Sequence, residues 1–392
     1  MTVLGAFEPE DILNPDHYRQ ARANGRIRFA LPPWCYTSDK FLKAELQRVF
    51  HPNWNLIDRT DRVPNPGDFF CTEYLGTPMI VARGNDGEVR VFANACRHRS
   101  AQVAQGEGST KMFRCPYHAW AYDLKGALIG APSFNGDDDN SLIDDGNRKS
   151  FGLIEIPSAV WAGFLFVRFT AEGQSLEEQL GDIVNRVASH RPQDMVCTRR
   201  KVIEIDSNWK LFYENVNETY HIPFVHGGTL DRQKRNMLKQ DNAPNFTAIM
   251  AQHEGSRLVI KGDQEFPRIS TLEGQYGTGT YYVSLFPATQ LVCSIDAIMY
   301  YKMEPLSASR TRMTMGSCFP KETVARPDFE EVAQNYYKRV DLVTPEDYVQ
   351  TDSQQIGLSS PFARSAPLGN CETMMYYFDQ WLLDRIVGHN AR

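Results

Sequence analysis

The chain has 392 residues, 23% charged and 42% hydrophobic, with a formal net charge of −6. That length exceeds one compact core and suits two domains of a folded globular protein. The mild acidic excess and the lack of a long basic run exclude a nucleic-acid partner. No apolar run approaches the roughly 20 residues that span a bilayer, since the most apolar stretch, 285–301, is broken by Pro287, Gln290 and Asp296. The N-terminus has no basic start followed by an apolar core, so no signal peptide is read and a cytoplasmic protein without membrane association is expected.

In chain order, residues 1–45 read as a lead-in that packs with the later domain. Ser38-Asp39-Lys40 caps a predicted amphipathic helix over 41–50. From there the signals change to short strands. Asn65-Pro66-Gly67-Asp68 is a turn, and 79–83 and 89–93 are strands joined by Gly84-Asn85-Asp86-Gly87. The stretch 135–148, rich in Asp, Asn and Gly, reads as a surface loop; Asp137-Asp138-Asp139 lacks the spacing of a calcium loop. Helices are predicted over 175–189, 208–220, 329–341, 345–357 and 374–387, with strands through most of 246–319. The expected class is α+β, with a β-rich first domain over 46–160 and a second over 161–392. No internal repeat is present.

The first domain carries Cys96-Arg97-His98 and Cys115-Pro116-Tyr117-His118. Each half offers one thiolate and one imidazole, the ligand set of a Rieske [2Fe–2S] centre, in which two Cys hold one iron and two His the other. Zinc fingers space their ligands differently, and mixed Cys/His halves do not suit disulfides. Neither loop has an additional Cys, and the second continues Ala119-Trp120, like the oxygenase type of Rieske centre. The remaining cysteines, at 35, 71, 197, 293, 318 and 371, follow no motif and read as buried thiols.

The second domain carries Glu218-Thr219-Tyr220-His221 and, five residues on, His226. Two His converging from a helix end, with one carboxylate, make the facial triad of a non-haem Fe(II) site with positions left open for O2 and substrate. Spacing alone leaves the carboxylate open. Asp347 in Thr344-Pro345-Glu346-Asp347 is the best candidate, with the proline at a helix start; Glu322, Glu330, Glu331, Asp341, Glu346 and Asp352 compete. Glu218, one turn before His221, is either an inter-site hydrogen-bond carrier or a partner of His221.

These stretches, with Asn208-Trp209-Lys210-Leu211-Phe212-Tyr213-Glu214-Asn215 and 345–360, resemble the oxygenase (α) component of Rieske non-haem iron oxygenases over roughly residues 40–390. The resemblance implies a Rieske domain and a helix-grip (START-like) catalytic domain, and it selects Asp347 as the third iron ligand. It implies trimers in which the cluster of one subunit faces the iron of the next, bridged by Glu218, with His118 on the cluster side. The family more often has Asp there. Glu is similar to the homotrimeric branch that includes carnitine, glycine betaine and related quaternary-amine oxygenases. Tyr213 and Asn215 are further catalytic candidates; Tyr213 and Tyr220 either donate a hydrogen bond or pack.

Electrons from NAD(P)H would then come through a separate flavin reductase or ferredoxin, since no Gly-rich dinucleotide fingerprint follows a strand. Arg97, Arg99, Lys111 and Arg114 either dock such a partner or form intersubunit ion pairs. The motifs do not separate a monooxygenase that hydroxylates or N-/O-dealkylates a small molecule from an aromatic-ring dioxygenase; Glu218 and the chain length lean to the first. A pure electron carrier leaves the second iron site unexplained. The substrate pocket is expected from 212–300. Arg232, Lys234, Arg235, Arg257, Lys261 and Arg268 either bind a carboxylate or lie on the surface, and Tyr281, Tyr282 and Phe286 either cage a cationic ammonium or, the favoured reading, pack in the core.

Overall fold

The computed structural model describes residues 8–134, 143, 144, 147–230 and 236–389. The Asp137-Asp138-Asp139 stretch and Arg232, Lys234 and Arg235 lie outside them. The chain divides into two compact units, one of Leu56–Glu172 and one of the segments before and after it. The fold is α+β. No helix among the described residues is long and apolar enough to cross a membrane.

The Leu56–Glu172 unit is built from antiparallel strands, with no α-helix among its described residues. Its five-stranded sheet runs in the order Glu155–Ile156, Val89–Ala93, Thr77–Arg83, Asp68–Tyr74, Glu107–Ser109. The predicted hairpin is there: Thr77–Arg83 pairs with Val89–Ala93, closed by Gly87 at φ 83°, a conformation that costs glycine nothing. A small sheet of Phe113–Arg114, Ala121–Tyr122 and Leu128–Gly130 carries the second Cys/His loop. Ile80, Phe92, Trp120, Tyr122 and Leu128 form the core that packs around both cysteines.

The other unit centres on a seven-stranded antiparallel sheet. Its order is Met195–Ile205, Arg310–Pro320, Ile298–Ser307, Thr289–Cys293, Gly279–Leu285, Phe246–Gln252, Asn236–Ala243. The early segment belongs to this unit: Ser38 caps the helix Asp39–Glu45, its Oγ accepting from Phe41 N at 3.0 Å, and Arg28–Phe29 pairs with Pro367–Leu368.

Four of the predicted helices need correction. The expected helix 175–189 is broken into Leu176–Leu180 and Ile183–Arg186, because Gly181 takes φ 53° and ends the first piece. The expected helix 208–220 stops at Asn215. The two helices expected on either side of Pro345 are one, Phe329–Leu358, with the proline inside it rather than at a start. Proline removes one helical N–H and crowds the preceding turn. Burial of Val340, Val343, Thr344, Asp347 and Thr351 along one stripe holds the helix together across it.

Candidate metal centres and substrate cavity

The two Cys/His loops repeat one backbone design. Cys96 N donates to Ala101 O at 2.8 Å and Ser100 N donates back to Cys96 O at 2.8 Å. Cys115 N donates to Trp120 O at 2.8 Å and Ala119 N to Cys115 O at 3.0 Å. The fourth residue after each cysteine takes a left-handed φ, 58° at Ser100 and 59° at Ala119, a strained choice for a non-glycine that is found where function holds it. Both cysteines are buried, and the rings of His98 and His118 are 4.5 Å apart. Trp120 stacks on His98 with centroids 5.1 Å apart.

Two features fit a cluster here. His98 Nδ1 is buried and has no hydrogen-bond partner, the condition of a ligand nitrogen rather than of an ordinary buried histidine. The His118 pKa is lowered by desolvation and then by the charges of His98 and Arg99, which favours the neutral imidazole that binds metal. Tyr122 Oη lies 3.2 Å from Cys96 Sγ while accepting from Arg97 N at 3.0 Å, so its proton is directed at the sulfur.

In the other unit, Asn208 starts the helix Trp209–Asn215, its side chain accepting from Lys210 N at 3.1 Å. The chain then turns into a one-turn helix, Ile222–Val225, with His221 before it and His226 after it. Asp347 comes from the long helix. His221, His226 and Asp347 offer ligand atoms all within 4.8 Å of one another. Asp347 Oδ1 lies 2.8 Å from His226 Nε2 and 3.4 Å from His221 Nε2, yet it makes no hydrogen bond of acceptable geometry. Two imidazoles and one carboxylate gathered this closely are the donor set of a divalent iron.

The outer nitrogens of both rings are tied to acids. Glu218 folds back over its own turn, accepting from His221 N at 3.2 Å and contacting His221 Nδ1. Glu346 Oε2 lies 2.7 Å from His226 Nδ1 and accepts from Thr229 Oγ1 at 2.6 Å. Burial disfavours a charged His226, but Asp347 and Glu346 outweigh it and raise its pKa. The same negative field suits a cation. Glu346, weighed in the sequence only as a rival ligand, is instead the orienting carboxylate of His226. Its signal was its place beside Asp347 in the run Pro345-Glu346-Asp347.

A cavity of about 110 Å³ opens on this triad. The sheet supplies Ile249, Ala251, Tyr282, Gln290, Val292 and Tyr301, and the helices supply Phe212, Asn215, Arg339, Val343 and Met374. Asn215 lines the cavity, and its buried Oδ1 has no partner. Tyr213 does not: it is fully buried against Trp209, Phe286 and Phe378 and is a packing residue. Tyr220 is 61% exposed and also lies off the cavity. The aromatic cage is not assembled either. Adjacent residues of a strand face opposite ways, so Tyr282 lines the cavity while Tyr281 lies beside Arg186; Phe286 packs on Trp381. Arg257 and Lys261 line a separate pocket, and Arg268 donates to Leu272 O. Among the described residues, the cation that reaches the cavity is Arg339, which is not one of the sequence candidates. A basic residue in line with Val343 and Asp347 at successive four-residue steps, though itself only part-buried, is its signal.

Comparison with known proteins agrees with both centres. The family "Ring hydroxylating alpha subunit (catalytic domain)" matches residues 192–388, and "Rieske [2Fe-2S] domain" matches residues 53–149. The chain therefore belongs to the ring-hydroxylating alpha subunits, the oxygenase components of the Rieske oxygenases. It is 26% identical over 360 residues to choline monooxygenase of Atriplex hortensis, covering 90% of this chain and 76% of that one. It is 27% identical over 345 residues to the carnitine monooxygenase oxygenase subunit of Escherichia coli strain K12, covering 86% of each. Naphthalene 1,2-dioxygenase from Rhodococcus sp. shares the fold, with a TM-score of 0.78 at 19% identity over 92% of this chain and 95% of that one. As a family member the protein is an oxidoreductase with a Rieske [2Fe–2S] cluster and a mononuclear-iron catalytic domain, a terminal oxygenase supplied with electrons by a partner.

Proposed function

We propose that this chain monooxygenates a small organic molecule in the cavity beside His221, His226 and Asp347, by hydroxylation or by N- or O-dealkylation. Cys96 and Cys115 with His98 and His118 hold the cluster, and His221, His226 and Asp347 hold the mononuclear Fe(II). When bound, the two centres supply single electrons and O2 activation, one oxygen atom going to substrate and the other to water. Glu346 and Glu218 fix the orientation and tautomer of the two histidines. The apolar sheet face excludes water and positions the C–H bond. Glu218 also carries the hydrogen bond toward a cluster histidine, His118, of a neighbouring subunit in a homotrimer. Electrons come from NAD(P)H through a separate ferredoxin or flavin reductase.

The observation that carries the reading is the Glu218 carboxylate on His221 Nδ1, both residues lining the cavity. It is supported by similarity over most of the chain to proteins named choline and carnitine monooxygenase. The test is product analysis after a single turnover of reduced protein with O2 and a panel of quaternary amines, N-alkyl and O-methyl aromatics, and aromatic acids. An alcohol carrying one new oxygen, or an aldehyde with its dealkylated partner, is expected. A cis-dihydrodiol or catechol carrying two would replace this reading with a ring dioxygenase.

A further inference from the structure

Arg339 is the one Lys or Arg among the described residues that line the cavity. Its Nε is buried and donates to nothing, and among the described residues no hydrogen bond or ion pair to its guanidinium is present. Its acidic neighbours on the long helix are engaged elsewhere. Asp341 pairs with Arg199 and Lys201, Glu346 with His226 and Thr229, and Asp347 with the two histidines. Arg339 is part-buried with its Nε shut off from water; a charge so placed gains from a partner, and its fork of donors matches a carboxylate in two parallel bonds.

We propose that Arg339 is the specificity-determining residue of this cavity and that the substrate carries a carboxylate which pairs with it. This rests on the cavity being the oxygenase site. Arg339 and Asp347 are eight residues apart on one helix, about 12 Å along its axis, and helical side chains lean toward the N-terminus. The carboxylate therefore docks at the end of the cavity away from the metal triad, and the oxidised carbon lies several bonds from it. A purely cationic alcohol offers Arg339 nothing and meets its charge with like charge. A zwitterion or a simple acid satisfies it.

The experiment measures anaerobic binding to the full-length holoenzyme by equilibrium dialysis, separately from turnover. The probes are matched pairs: 4-(trimethylammonio)butanoate and its methyl ester, 4-methoxybenzoate and its amide, benzoate and benzamide. Preference for the carboxylate by about tenfold or more in at least one pair is expected. Arg339→Gln removes that preference, and Arg339→Lys, which keeps the charge, retains part of it. A readout that needs no variant is mass-spectrometric: the bound carboxylate protects Arg339 from phenylglyoxal while its neutral twin does not. Equal binding within every pair, no carboxylate bound, a preference that survives Arg339→Gln, or no protection overturns the proposal. A neutral substrate oxygenated in good yield sinks this inference alone. A carboxylate bound through Arg339 that yields no mono-oxygenated product sinks the functional reading alone.

Discussion

Glu346 Oε2 sits 2.7 Å from Nδ1 of His226, on the side of the ring opposite the nitrogen that faces Asp347. Two consecutive residues of one helix thus hold the two sides of one imidazole. Glu346→Gln keeps the shape but loses the charge that raises the basicity of the ring, and iron affinity is expected to fall about 10–100-fold, read by competition with a chelator. Glu218→Gln is expected to act differently. Beyond weakening the hold on His221 and so on iron, it slows reoxidation of the reduced cluster in a stopped-flow single turnover even when iron occupancy is restored. Unchanged reoxidation kinetics would remove Glu218 from the electron path.

The Tyr122 hydroxyl on Cys96 Sγ bears on the potential of the cluster. A hydrogen bond to sulfur stabilises the more negative, reduced form. A net worth of about 1 kcal/mol corresponds to roughly 40 mV for one electron. Tyr122→Phe should lower the potential by that order, measured by redox titration of the visible spectrum, with the cluster still assembled.

Lys210 and Glu45 form an ion pair at 2.6 Å with both side chains 0% exposed, and Trp209 Nε1 donates to the same carboxylate at 3.1 Å. Burial pushes the Glu45 pKa up and Lys210 pulls it back. Lys210→Met strands the carboxylate and is expected to cost about 3–5 kcal/mol in denaturant unfolding. The double variant Lys210→Met with Glu45→Leu should recover most of it, because the pair itself adds little once its desolvation is counted.

Asp296 is buried, accepts from Ser256 Oγ at 2.9 Å and contacts the Tyr336 hydroxyl. Desolvation raises its pKa to about 6, although the hydrogen bonds from Tyr336 and Ser256 lower it. A folded-state pKa above the unfolded one stabilises the protein below the unfolded value and loses that contribution as pH rises through the folded one. Asp296→Asn stays neutral throughout. Relative to the parent, it should gain on the order of 3 kcal/mol between about pH 4 and pH 7. A pH-independent difference in unfolding free energy would show that Asp296 ionises normally.

Much of this was legible in the chain. Cys96, His98, Cys115 and His118 announce their chemistry because a cluster demands fixed residue types at close spacing, and His221 and His226 do so nearly as well. Asp347 was not separable from its neighbours by spacing, since helix phase across Pro345 decides which acid faces inward. Periodicity could not see that the helix continues through that proline, because packing on the sheet and not local propensity holds it. Tyr213 and Asn215 lie two apart on one helix and so on different faces; only the fold shows that the second, and not the first, looks into the cavity. Arg339 escaped notice because a basic residue in a helix is ordinarily solvated.

The floor of the cavity is a patch of cross-strand neighbours. Tyr282 lies between Ile249 on one side and Val292 on the other, and Gln290 lies beside Tyr301. None of these side chains is among the proposed ligands or their orienting acids, which all come from helices and turns. The strand side of the cavity thus shapes the substrate apart from the oxygen chemistry, while the charge selection proposed for Arg339 shares its helix with Asp347. A lineage could change which molecule fits, one alternate strand position at a time, without ever passing through an inactive enzyme.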